Sequence, residues 1–194
     1  MIHELEDAML KRIRDAQAAG VWPYKILTID NYAGQIDEGQ QSTFKFPAVF
    51  CSFVKWRRKA SLGERTRLIV VDMMVYICAR NPRNSRAARQ GDAGEVGSYQ
   101  MAEDLVALLE NQRLGMPMHQ PLMATGVETV YIGRKADGAN AESILAIPME
   151  CEFTWQAALP DCAQVSLDDW LRTGQTYYLP GDDDADLAAL INHA

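Results

Sequence analysis

The amino-acid sequence predicts an α+β domain: a single, mostly antiparallel sheet of about five strands with two helices packed on one face, in the order α-β-β-β-α-β-β, plus a C-terminal extension. Three patterns carry this expectation. Two strand-like runs, Phe46–Val54 and Arg67–Ala79, are joined by a strongly basic connector, Lys55–Thr66, and read as a central hairpin. In the second run Ile69, Val71, Met73, Val75 and Ile77 share one face while Asp72, Tyr76 and Arg80 fall on the other. Near the end, Leu145, Ile147, Met149, Cys151, Phe153 and Trp155 point one way and Glu150, Glu152, Thr154 and Gln156 the other, which gives one buried and one wet face.

Taken in order, Met1–Ala18 reads as an amphipathic helix, with Ile2, Leu5, Met9, Ile13 and Ala16 spaced three and four apart, and Gly20 and Pro23 ending it. Tyr24–Tyr32 reads as a strand and Ala33–Thr43 as a loop rich in Gly, Gln and acidic residues. Pro47 suits the start of the next strand. After the hairpin, Asn81–Gly97 reads as a long mobile connection. Ser98 is placed to cap a second helix whose stripe is Met101, Ala102, Leu105, Val106 and Leu109, and Leu114–Pro121 breaks that helix. Two strands follow, Val127–Arg134 and Ser143–Gln156, linked by the turn-rich Lys135–Asn140. Pro148 cannot donate to a ladder and marks an edge position or a bulge. The expected division is an α+β domain over 1–158 and an acidic, partly extended arm over 159–194, in which Ala163–Arg172 could form one short helix.

At 194 residues the chain fits one domain with appendages. No stretch approaches the ~20 apolar residues needed to span a bilayer, and the first residues lack an apolar signal core, so a cytoplasmic setting is expected. In that setting Cys51, Cys78 and Cys151, inside predicted strands, read as reduced core thiols, while Cys162 has no assigned place. The net charge of −7 argues against a general nucleic-acid binder, but the charge is segregated. Six basic residues against Glu64 give Lys55–Arg67 a net +5, and Arg80, Arg83, Arg86 and Arg89 add +4. Seven aspartates against Arg172 give Asp161–Asp186 a net −6.

No motif in the chain names a reaction. His3, His119 and His193 lack partners at ligand spacing, and the Asp182–Asp184 run with Asp186 lacks the spacing of a calcium loop, so no metal or cofactor site is assigned. The glycines around Glu95 lack the lysine of a phosphate-binding loop, and no serine nucleophile elbow is present. The basic stretch from Lys55 to Arg67 with Trp56 could serve DNA, an acidic protein partner, or protection of a sheet edge.

ELEDAMLKRIRDA near the start, FPAVFCSFV followed by a basic segment, VVDMMVYICARN, GSYQMAEDLVALLENQ and IPMECEFTW together resemble, over roughly Met1–Trp155, a family of small proteins from the tail-gene clusters of Mu-like phages and prophages. The resemblance implies a non-enzymatic tail terminator, or tail-completion protein. Such a subunit closes into sixfold rings on the head-proximal end of the tail tube, stops its polymerisation and prepares head–tail joining. Its implied partners are copies of itself, tail tube and sheath proteins and the head–tail connector. Neither a membrane nor direct nucleic-acid binding is expected, and assembly in the host cytoplasm ends in the virion tail. Another neck or head–tail joining role, or a nucleic-acid-binding regulator using the arginine-rich loops, stands as the alternative. A ring needs one patch to meet a different patch on the next copy. The expected interface residues are Lys55, Arg57, Arg58, Lys59, Arg65, Arg83, Arg86 and Arg89 against the acidic arm, with Trp170, Tyr177 and Tyr178 as anchors. Reversing Arg57, Arg58 and Arg65 to Glu is expected to spare the fold and abolish joining to the tube.

Overall fold

Leu5, Met9, Ile13 and Ala16 recur about one helical turn apart and, with Leu10, are the buried residues of α1 (Ile2–Ala18). The computed structural model describes residues 1–36, 44–63, 66–92, 94–134 and 140–156. The expected arm from 159, with Cys162, Trp170, Tyr177, Tyr178 and the helix over Ala163–Arg172, lies outside those residues, as does Arg65. Within them the fold is α+β, with one mixed sheet of six strands and three helices.

The strands are β1 (Thr28–Asn31), β2 (Ala48–Ser61), β3 (Thr66–Asn81), β4 (Met118–Ala124), β5 (Glu128–Arg134) and β6 (Ala141–Gln156). Their order is β1-β2-β3-β6, with β4 and β5 both on the far side of β6. Every pairing is antiparallel except β1 with β2. The other helices are α2 (Ser85–Gln90) and α3 (Ser98–Leu109).

The central hairpin is present but longer than expected. Lys55–Ser61 is not connector; it continues β2, whose register slips between Phe53 and Lys55 and again between Arg58 and Ala60. Each slip places an extra residue in one strand and breaks the two-residue period, so the alternation cannot be followed by eye through this segment. The first slip has a dedicated partner: the Phe53 N–H donates to the Glu6 carboxylate of α1 at 2.6 Å. Glu6→Ala removes the acceptor of a part-buried amide and should cost about 1–3 kcal/mol, read as a lower urea midpoint at unchanged m-value.

Four further differences are local. The Asn81–Gly97 connection holds α2, started by Asn84, whose side chain accepts the Ala87 N–H. Ser98 is the first helical residue of α3 rather than its cap, and its hydroxyl meets that of buried Ser143 at 2.7 Å. Where Leu114–Pro121 was expected only to break a helix, Met118–Ala124 forms β4 against Glu150, Glu152 and Phe153 of β6. Tyr24–Tyr32 contains a strand only over Thr28–Asn31.

Pro148 sits where β6 changes neighbours. β4 ends opposite Met149 and β5 begins opposite Ala146. In the gap the Pro148 carbonyl accepts from the Thr125 N–H at 2.9 Å, so the missing proline N–H falls where no ladder bond is needed.

One face of the sheet carries the main core. Val49, Cys51, Ile69, Val71, Met73, Val75, Ile77, Leu145, Ile147, Met149, Cys151 and Phe153 pack with the buried stripes of α1 and α3. On the other face a smaller cluster gathers Ile36, Ala48, Phe50, Cys78 and Ile144 with Tyr32, Phe44, Phe46, Tyr76 and Tyr131. Cys51, Cys78 and Cys151 are buried free thiols. No helix among the described residues is long and apolar enough to cross a membrane.

Candidate functional site

The candidate site is the end of the β2–β3–β6 ribbon farthest from the aromatic cluster. The β3–β6 register sets Asp72 opposite Glu150 and Val70 opposite Glu152, while β2 sets Lys55 opposite Asp72 and Arg57 opposite Val70. Three bases of β2 therefore share a face with three acids of β3 and β6. Arg57 donates to Asp72 at 2.5 Å and reaches across β3 to Glu150 at 3.2 Å. Lys59 donates to Glu152 at 2.5 Å, and Lys55 lies 3.7 Å from Asp72.

These pairs change the meaning of the basic segment. Asp72 and Glu152 are 14 % and 7 % exposed, against 47 % for Arg57 and 54 % for Lys59, so the acids lie deeper than the bases that cover them. The hydrogen bond to Asp72 is the largest influence holding the Arg57 guanidinium above its ordinary pKa. Lys55, Arg57 and Lys59 thus bridge strands of their own sheet and do not form an unneutralised cationic loop. Arg58, on the opposite parity, is exposed.

The other face of this end is apolar and open. Trp56 of β2 and Trp155 of β6 approach to 6.1 Å between ring centroids across the top of β3 and remain 49 % and 41 % exposed. Val54 and Leu62 nearby are also exposed. Trp155 continues the buried parity of β6, whose preceding member Phe153 is buried. Pattern alone therefore placed its side chain on the right face but could not show that it stays in contact with water.

The remaining expected residues lie elsewhere. Arg83, Arg86 and Arg89 sit on or beside α2, past the opposite end of β3 from the hairpin turn, so the two basic groups do not meet in one subunit. Arg83 approaches Asp92 to 3.4 Å, Arg86 donates to Gln90 and Arg89 donates to the Ser85 carbonyl. Beside α2, the buried Asn81 donates to Asp92 and Glu95, and the bond from Asn81 is the largest influence lowering the Asp92 pKa. Among the described residues no group of three or more His, Cys, Asp or Glu is placed to hold a metal ion.

The pattern places Asp72 opposite the apolar stripe of β3 and Glu150 and Glu152 on the wet face of β6, but does not pair them with the bases. The signal needed was the register, which joins residues 15 and 93 positions apart.

The same segments carry a family match. The family model described as bacteriophage Mu, Gp37, matches residues 1–156. The chain belongs to that family. No curated protein matches it. The Gp37 match makes this a Mu-like phage protein and points to a structural, tail-related part of the virion. It covers all nine elements found among the described residues and stops at Gln156, the last residue of β6.

Proposed function

We propose that this Gp37-family protein is a non-enzymatic tail terminator, forming a ring, with six copies on the tail, that caps the head-proximal end of the tail tube and prepares head–tail joining. The observation that supports this reading best is the far end of the β2–β3–β6 ribbon: a tryptophan pair left in water beside charges already neutralised within the sheet. Exposed aromatics on a rigid sheet are suited to anchoring a protein partner. Pairing of Lys55, Arg57 and Lys59 with carboxylates leaves less cationic charge for a phosphate backbone than a basic loop would offer, which weighs against a nucleic-acid regulator.

The reading is tested by complementing a phage that lacks this protein. The wild-type chain should give tails of uniform length joined to heads. Arg58→Glu with Arg65→Glu should fold with an unchanged urea midpoint yet fail to complement, and normal joined tails from that variant would remove these residues from the contact. Arg57→Glu behaves differently from the expectation for an exposed charge. It sets three carboxylates together with Asp72 and Glu150, so its urea midpoint should fall below that of Arg58→Glu. Equal midpoints for the two variants would show that the ion pairs contribute nothing measurable.

A further inference from the structure

Among the described residues two strand edges stand open, on opposite sides of the sheet. β1 pairs only with Ala48–Cys51 of β2, and Glu6 takes the Phe53 N–H. From Lys55 to Ser61, therefore, β2 has a ladder on its β3 side alone among the described residues. On the other side of the sheet β5 pairs, among the described residues, with β6 alone, residues 125–130 are all exposed, and Val127 and Val130 are half in water.

Other edges of the same sheet are closed. The Ile29 and Asn31 carbonyls of β1 accept from the side chains of Arg14 and Gln35. At β4 the Asn111 N–H donates to the Leu122 carbonyl, and the Leu122 N–H donates to the Gln112 carbonyl. An unpaired edge is a template for another strand unless side chains overhang it. Along β2 the long side chains lean inward instead: Arg57 and Lys59 reach over β3 to Glu150 and Glu152, and Trp56 leans toward Trp155. The ion pairs therefore draw these side chains over β3 and away from the free edge.

The two open edges match. Glu128–Arg134 is seven residues long, as is Lys55–Ser61, and each spans about 23 Å. β5 is rich in strand-forming residues, with Thr129, Val130, Tyr131 and Ile132 in succession. β2 runs antiparallel to β3, β3 to β6 and β6 to β5, so β5 points opposite to β2. β5 lies opposite Ala141–Ala146 of β6, level with the Ala48–Phe50 part of β2 that β1 covers. A neighbour moved sideways without being turned over, and shifted about nine residues (~30 Å) along the strands, therefore brings its β5 alongside Lys55–Ser61 in antiparallel sense. The exposed Glu128 then adds an acid to the edge that carries Lys55, Arg57, Arg58 and Lys59.

We propose that β5 of one copy adds to the Lys55–Ser61 half of β2 in the next, carrying one sheet from subunit to subunit. This rests on the ring reading above and names the surface that closes the ring: two different edges meet, so the contact repeats head to tail and closes only by rotation.

Directly paired antiparallel residues have Cα atoms about 4.5–5.5 Å apart, within disulfide reach. Full-length chains carrying Cys162→Ser with either Arg58→Cys or Val130→Cys are mixed on tail tubes and oxidised, with the β5 cysteine stepped through Thr129–Ile132 to cover the register. Ring formation is followed in parallel by negative-stain imaging. Disulfide-linked dimers from the mixture but from neither chain alone, and a covalent ladder when both cysteines share one chain, are the expected result. Rings that form without any β2–β5 link overturn the edge pairing and leave the ring reading standing. Linkage of 58 to 58 overturns it in favour of a two-fold contact. Chains that never assemble on tubes sink both readings.

Discussion

Between pH 9 and about pH 11 the folded state is expected to lose on the order of 5 kcal/mol of stability, chiefly through Cys51 and Cys151. Both thiols lie in the main core, and burial pushes each pKa up to about 12 from an ordinary value of 9.0. Such a raised pKa leaves the thiol's contribution fully present below about pH 9, where folded and unfolded chains both hold the proton. Above that the unfolded chain releases it and the folded chain does not, so stability falls by about 1.4 kcal/mol per pH unit per thiol until pH reaches about 12. Tyr24 adds in the same direction, because burial and then its hydrogen bond to Asp104 raise its pKa as well. Urea midpoints measured across this range should drop steeply for the wild type. They should drop less steeply for the double variant Cys51→Ala, Cys151→Ala, which starts from a lower midpoint because two buried side chains have been shortened. Identical slopes for the two proteins would show that these thiols titrate as they do in water.

The fold was legible wherever one side of an element faces the core and the other faces water. β6 shows this most fully: the odd positions from Leu145 to Phe153 are all apolar and buried against the helices, while Pro148 and Glu150 between them are only partly covered. In β2 the same logic fails after Phe53, because the two register slips move the period and the segment between them is almost wholly polar. β4 contains Pro121 and follows Pro117, both of which read as breakers, and its identity as a strand comes from β6. The six residues of α2 are too few to register as a helix in isolation, so its Asn84 cap and the neighbouring strands settle it. The candidate site was half legible. Trp56 and the bases could be named from composition, but their pairing with Asp72, Glu150 and Glu152 depends on which residues lie opposite one another, and hairpin register is set by turn and bulge geometry that composition does not reveal.

Gly97→Ala should destabilise the domain by about 3 kcal/mol, at the top of the range for overpacking, whereas Gly94→Ala three residues away should change stability by less than about 0.5 kcal/mol. The contrast follows from how the chain crosses itself between α2 and α3. A Cβ on Gly97 would press on the Arg89 carbonyl oxygen and the Gly91 nitrogen and lie 2.5 Å from the Gln90 carbonyl carbon. All three are backbone atoms, so no rotamer change can relieve the overlap. A Cβ on Gly91, whose φ is +80°, would in turn meet the Glu95 oxygen at 2.8 Å and the Gly97 nitrogen at 2.9 Å. The crossing is tied on both sides, by the Asn81 bonds to Asp92 and Glu95 and by the Ser98 to Ser143 contact. Opening it for one methyl group therefore strains the join between the end of β3 and the start of α3. At Gly94 an added Cβ meets nothing within 4 Å and the backbone is not left-handed. Urea unfolding of both variants measures the difference, and a near-neutral Gly97→Ala would mean that this crossing is looser in solution than its geometry requires.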